Sequence, residues 1–274
     1  MQAAKWRLII SGPAEGTYNM ALDEAILQCV GEELSPPTLR LYAWDPPCLS
    51  LGFSQPITDI DLPVLKENGW QLCRRPTGGR AILHTDELTY AIIGRIDDPL
   101  LQGGVLKSYR RIAAALQNTL IGLGLKARAD KEYDLPAGTK SQAAVCFEAP
   151  SNYEITVQGK KIFGSAQARK AHSVLQHGSL PLYGDLTRIT TAVRHPDQES
   201  RETAAQRLLE HAATVEMLLN TKISWQDAAN TFIDSFQNTL NINLQPGELS
   251  PEEIRRTSIL LKEKHASRKW LTKT

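Results

Sequence analysis

A cysteine, two consecutive lysines and a run of small residues lie near one another in the second half of the chain. Cys146 sits in Ser141-Gln-Ala-Ala-Val-Cys146-Phe-Glu-Ala-Pro150, and Gly159-Lys160-Lys161-Ile-Phe-Gly164-Ser165-Ala166-Gln167 follows. A thiolate accepts an acyl group well at neutral pH only when something lowers the thiol pKa from about 8.5, and a neighbouring ammonium does so by favouring the charged form. The set therefore points to acyl transfer through a thioester. The competing assignment for Cys146 is a buried small hydrophobe, the commoner fate of a cysteine. Two features oppose it. Glu148, Ala149 and Pro150 turn the chain directly after the thiol and leave it reachable, and the Gly-Lys-Lys segment returns by a hairpin that can bring Lys161 beside it. Adjacent strand residues face opposite sides, so only one lysine can enter a site. Val157 and Ile162 favour Lys161 as the inward member, which leaves Lys160 facing solvent.

A second candidate is Arg74-Arg75-Pro76-Thr77-Gly78-Gly79-Arg80-Ala81-Ile82-Leu83-His84. Its glycines let backbone approach a ligand and can present N–H groups to a phosphate or an oxyanion. The spacing is neither a Walker loop nor GxGxxG. A Pro/Gly hairpin with solvated arginines satisfies the same composition. His84 and His177 could each act as a general base, although a lone histidine at a strand end is more often hydrogen-bonded structure.

These segments need a scaffold. Residues 18–30 form a helix with Ala21, Leu22, Ala25, Ile26 and Cys29 as its apolar stripe, making Cys29 a core filler. Alternating runs at Leu39, Leu41, Ala43 and at Leu49, Leu51, Phe53, joined by Asp45-Pro46-Pro47, predict a hairpin. Further strands are expected at 70–74, 80–84, 88–94, 152–157, 160–164 and 173–182, the 152–164 pair turning at Gln158-Gly159. A helix spans 107–123 and stops at Gly124. The segment 126–145 reads as a long loop. From about residue 200 the pattern turns helical: 201–220, 224–238, and 250–264, the last opened by Ser250 as N-cap, Pro251 and Glu253. The final stretch, 264–274, reads as a frayed tail. The expected fold class is α+β: a mixed, mostly antiparallel β-sheet flanked by helices, with a helical C-terminal segment. The expected organisation is a catalytic domain over 1–200 and a helical extension over 201–274 packed on it.

Composition narrows the partners. The chain has 274 residues, 42% of them hydrophobic, with 31 basic and 30 acidic side chains and a net charge of +1. Such balance gives no broad field to hold nucleic acid or anionic lipid, so neither is an expected partner. The four cysteines form no CxxC or Cys/His zinc spacing, and no metal or cofactor is expected. Neither a signal peptide nor a membrane-length apolar run is apparent, which predicts a cytoplasmic protein, here taken as a monomer.

Several stretches follow one another in a familiar order: Asn19-Met-Ala-Leu-Asp-Glu24, Arg74 to Arg80 through His84, Glu87-Leu-Thr-Tyr90, Cys146 to Pro150, Gly159 to Gln167, and Leu175-Gln-His-Gly-Ser179. From about residue 5 to 265 they resemble the lipoate–protein ligase and octanoyltransferase group of the biotin/lipoate ligase superfamily. Cys146 followed by Phe-Glu-Ala-Pro resembles the branch that transfers octanoyl groups from acyl carrier protein in Gram-positive bacteria. The resemblance implies a cysteine nucleophile, here Cys146, and a lysine that lowers its pKa, here Lys161. It implies an acyl pocket lined by Arg75, Gly78, Gly79, His84, Ser165 and Ala166. The donor would be octanoyl-acyl carrier protein, and the acceptor a lipoyl-domain protein such as glycine cleavage H protein. ATP-dependent lipoate ligases share the glycine and lysine motifs but use the lysine to hold an acyl-adenylate and need no thiol. A non-enzymatic protein that binds acyl carriers or lipoyl domains is the remaining alternative.

Overall fold

The computed structural model of the protein describes residues 3–129 and 155–273. In chain order the first part holds β1 (Ala4–Ile10), α1 (Gly16–Gly31), β2 (Thr38–Tyr42), β3 (Cys48–Leu51), α2 (Leu62–Glu67), β4 (Gln71–Arg74), β5 (Ile82–His84), β6 (Glu87–Arg95), α3 (Gly104–Gly122) and β7 (Arg128–Ala129). The second part holds β8 (Ile155–Val157), β9 (Lys160–Lys161), β10 (Gly164–Lys170), β11 (Ser173–Pro181), α4 (Arg188–Ala192), α5 (Gln198–His211), α6 (Val215–Leu219), α7 (Trp225–Leu240), β12 (Ile242–Pro246), α8 (Pro251–Leu260) and α9 (Arg268–Leu271).

The main sheet runs β10-β11-β6-β2-β1-β12, with β1 parallel to both its neighbours and the other pairs antiparallel. This is the mixed, mostly antiparallel α+β fold. Strand alternation sorts β6 between two layers. Leu88, Tyr90 and Ile92 join the core beneath α3 and α7, where Phe232 and Phe236 stack at 4.2 Å. Ala91 and Ile93 face Met20, Leu22 and Ile26 of α1. Two three-stranded sheets, β4-β3-β5 and β7-β8-β9, complete the strand framework. Among the described residues no helix is long and apolar enough to cross a membrane.

The β8–β9 turn forms as expected, with Gln158 at φ 53° and Gly159 at φ 77° supplying the left-handed pair that a two-residue hairpin turn requires. Ser250 caps α8: its hydroxyl accepts from the Glu253 N–H at 3.2 Å while its own N–H donates to the Glu253 carboxylate at 2.8 Å. Cys29 is fully buried.

Four expectations fail. β2 and β3 do not pair as a hairpin; β2 lies between β1 and β6, and β3 between β4 and β5. Both strands are buried throughout, so each takes a neighbour on either side from distant sequence. The helix expected over 201–220 breaks at Ala212 and Ala213, where the Ala213 N–H donates to the Lys161 carbonyl beside β9. The C-terminal segment is not wholly helical, because β12 extends the main sheet beside β1. The stretch 264–273 is not frayed. A π turn over Leu261–His265 aims Lys264 and His265 at Glu24 of α1, and α9 packs its Trp270 indole edge-on to Phe53.

Glu24 accepts two bonds from Lys264 Nζ, at 2.6 and 2.7 Å, and lies 2.9 Å from His265 Nε2. Burial pushes its carboxyl up, but the hydrogen bonds from His265 and Lys264, with their charges, outweigh burial and bring it to about 2 against an ordinary 4.5. A carboxyl depressed in the folded state contributes stability above its unfolded pKa, and that contribution disappears as pH falls through the folded value. The urea midpoint should therefore drop between about pH 4.5 and about pH 2. Glu24→Gln should lower the midpoint at neutral pH and remove its share of that acid slope, which paired urea titrations across this range measure.

Candidate active site

Strands β10 and β11 bring Gly164, Ser165 and Ala166 opposite Ser179, Gly178 and His177. Gly178 is required by close approach: a methyl there would lie 2.5 Å from the Gly164 carbonyl oxygen and 2.7 Å from Ser165 Oγ. Trp44, Arg75, Ile82 and His84 line a cleft with this pair, and Met20 and Tyr42 line it too. Arg75, His84, Ser165 and Ala166 thus meet in one place. Gly78 and Gly79 contribute instead to the loop held by Arg75.

Arg75 acts on that loop. Its guanidinium donates to the Ser50 carbonyl and hydroxyl, each at 2.7 Å, and to the carbonyls of Gly78 at 3.1 Å and Arg80 at 2.9 Å. The Gly79 carbonyl rests on Gly52, where an added methyl would stand 1.9 Å from the oxygen, and Gly79 itself has φ 96°. The neighbouring Arg74 is fully buried and points the other way, donating to the carbonyls of Gly52, Gln55, Trp270 and Leu271. The expected glycine-rich segment is therefore a braced loop whose Arg74 and Arg75 are hydrogen-bonded to backbone.

Two chains of hydrogen bonds fix the cleft wall. His84 stacks on Trp44 with centroids 3.9 Å apart, its Nε2 lies 2.6 Å from Ser50 Oγ, and its Nδ1 lies 2.7 Å from Glu87 Oε1. Thr89 Oγ1 donates to the same Glu87 oxygen and accepts from Trp44 Nε1 at 2.7 Å, closing the loop around the stacked rings. In the second chain His177 Nε2 is 2.6 Å from Thr77 Oγ1 and Nδ1 is 3.5 Å from Asp23 Oδ2. Asp23 also accepts from Arg40 at 2.7 Å and from the Tyr42 hydroxyl at 2.9 Å. Burial pushes His177 below its ordinary value, leaving it neutral near pH 7. Burial pushes the Asp23 carboxyl up, yet Arg40 and His177 together outweigh burial and hold it below the ordinary carboxylate value. Both histidines are thus hydrogen-bonded structure that also lines the cleft.

Lys161 is buried, 5% exposed, on β9, three residues before the Gly164 edge of the cleft. Lys160 is half-buried rather than solvent-facing: its ammonium donates at 2.6 Å to the Leu209 carbonyl near the C-terminus of α5. Carbonyls in the last turn of a helix lack intrahelical donors and attract cations, which accounts for the difference. Cys146 and much of the segment 126–145 lie outside the described residues. Sequence reasoning did not single out Met20, Trp44, Asp23, Arg40 and Thr77. An available signal was Arg40 between Leu39 and Leu41, a cation in an otherwise apolar strand that demands a buried partner.

The arrangement is a small, largely apolar slot walled by hydrogen-bonded side chains, with the buried Lys161 three residues before its Gly164 edge in sequence. A family model described as the lipoyl protein ligase A/B catalytic domain matches residues 15–237, which takes in every segment just described except the C-terminal brace. The chain belongs to this family. It is 39% identical over 277 residues to the protein named octanoyltransferase LipM of Moorella thermoacetica, covering 99% of each chain. To the octanoyltransferase LipM of Kyrpidia tusciae it is 38% identical over 269 residues, covering 97% of each. The lipoate protein ligase of Thermoplasma acidophilum, solved in a study of that enzyme and its E2 lipoyl domain, superposes with a TM-score of 0.81 at 25% identity. That match covers 99% of this chain and 97% of the other.

Gly52→Ala forces the Gly79 carbonyl to move, and overpacking of this kind costs about 1–3 kcal/mol. Denaturant unfolding should show that loss, with a matching fall in the rate of acyl transfer. Gly78→Ala meets open space and should leave both nearly unchanged.

Proposed function

We propose that this enzyme transfers an octanoyl group from octanoyl-acyl carrier protein to a lysine of a lipoyl-accepting protein, such as glycine cleavage H protein, through a thioester on Cys146. The setting is lipoate biosynthesis in the cytoplasm. The observation that carries this reading is 36–39% identity, over nearly the whole chain, to proteins named octanoyltransferase.

The Cys146 thiolate attacks the carbonyl carbon of the donor thioester, and the carrier's sulfur leaves with the bonding electrons and takes up a proton. The neutral acceptor amine then attacks the enzyme thioester, loses a proton and expels the Cys146 thiolate, leaving an amide. Exchange between thioesters is nearly isoenergetic and the amide is far more stable, so the donor's own bond drives the reaction and ATP is not consumed. The Lys161 ammonium favours the thiolate in the resting enzyme and each time it is expelled. The apolar walls at Met20, Trp44, Ile82 and Ala166 suit an alkyl chain, and each methylene buried there contributes about 0.8 kcal/mol.

The likeness to a solved lipoate protein ligase favours a second reading, an ATP-dependent ligase in which Lys161 holds an acyl-adenylate. The two part at the sulfur. Intact-protein mass spectrometry after mixing with octanoyl-acyl carrier protein should show one octanoyl adduct, absent in Cys146→Ala, which should lose nearly all transfer activity. A Cys146→Ala protein that still modifies its acceptor with lipoate, Mg²⁺ and ATP would favour the ligase. A chain that never acquires the adduct and never modifies an acceptor would be a binding protein only. Lys161→Ala should move the alkylation pKa of Cys146 upward and slow transfer at pH 7, whereas Lys160→Ala should leave that pKa unchanged.

A further inference from the structure

Charge in this chain is balanced overall but not locally. The stretches 99–127 and 155–181 contain eight lysines and arginines and no aspartate or glutamate, so the rest of the chain carries a net charge of −7 against a total of +1. The two stretches meet in space. Ser108 of α3 bonds to Gln167 of β10 at 3.1 Å, and Arg169 donates to the Leu101 carbonyl at 2.7 Å. Where they meet, Lys107, Arg110 and Lys170 are exposed, as are Val105 and Leu106 in the first turn of α3. Leu106 and Arg110 share one helix face at i,i+4 spacing, with Lys107 one turn from Arg110. Just before the first of these stretches, Asp97 pairs with Arg95, and Asp98 accepts from the Leu100 N–H at 2.8 Å.

We infer that this basic, partly apolar face at the start of α3 and the end of β10 docks the donor's carrier domain, a protein that presents an acidic helix. The inference rests on the transfer reading above and adds the surface on which the donor is recognised. Complementary charge is what such a face offers, since it steers encounter and fixes orientation. Distance decides between donor and acceptor. From Ala166 at the cleft to Lys170 the strand advances about 13 Å at some 3.3 Å per residue. A thioester carried on a long pantetheine arm spans such a setback, and its phosphodiester would pass these cations on the way. An acceptor lysine has only a four-methylene stem, so its domain must sit at the cleft mouth instead.

The test compares donors. In the full chain, the Lys107→Glu, Arg110→Glu double variant should raise the KM for octanoyl-acyl carrier protein roughly tenfold and flatten its salt dependence. Turnover with octanoyl-pantetheine, which lacks the carrier, should stay at the parent value, and that rate also reports whether the variant folds. The milder Lys107→Gln, Lys170→Gln variant should shift carrier KM in the same direction by less. Unchanged carrier KM in both variants, or a rise in the acceptor's KM in place of the donor's, would overturn the assignment of this face. Failure of the parent chain to form any octanoyl adduct with either donor would instead remove the transfer reading, and the docking face with it.

Discussion

A carboxylate sealed from water must be neutralised, and helix α1 carries two of them on neighbouring positions. Asp23 turns toward the main sheet and meets Arg40 of β2 at 2.7 Å; Glu24 turns away from it and meets Lys264 and His265. A buried ion pair adds little net stability compared with apolar packing, but removing one partner strands a charge. The two acids therefore act as register marks: α1 cannot rotate or slide without unpairing one of them. One side of the cleft is referred to that helix. Met20 lies one turn before Asp23, Tyr42 donates to Asp23, and the guanidinium of Arg40 sits 3.9 Å over the Tyr42 ring. His177, at the same carboxylate, links α1 to β11 and through Thr77 to the glycine-rich loop.

Local pattern made much of this legible. The stripe of α1, the Gln158-Gly159 turn and the Ser250 cap are each decided within a few residues, where propensity and hydrogen-bond geometry agree. The hairpin expected between β2 and β3 failed for the complementary reason. Alternation specifies that a strand is half buried, but these two are buried on both faces, and their partners, β1, β6, β4 and β5, are chosen by packing between distant segments. The tail failed because a lysine-rich stretch reads as solvated unless its acidic partner is known. That partner, Glu24, stands 240 positions earlier.

Legibility of the site divides along the same line. Residue types in the Arg75 to His84 and Lys161 to Ala166 segments identified a cleft wall, and family resemblance supplied roles for them. What sequence did not disclose is that Arg74 and Arg75 both donate to backbone carbonyls. Arg75 ties Gly78 and Arg80 to Ser50, so the loop's shape is set before any ligand arrives. A wall assembled from stacked rings, hydrogen-bonded side chains and a glycine on which a carbonyl rests has little freedom to adapt. Selection among acyl chains at such a wall depends on length and girth.

The brace beneath the glycine-rich loop has a consequence for how the protein comes into being. Arg74 leaves the ribosome early, yet the Trp270 and Leu271 carbonyls that accept from its guanidinium follow 196 and 197 residues later. Arg7 waits as long for Glu253, 246 residues on. Until those last turns emerge, a nascent chain holds buried-type cations without their acceptors, and the cleft stays unfinished. Competence is in this sense conferred only once Trp270 and Leu271 have been made, and a chain interrupted before them would carry every motif of the site with the loop's brace missing.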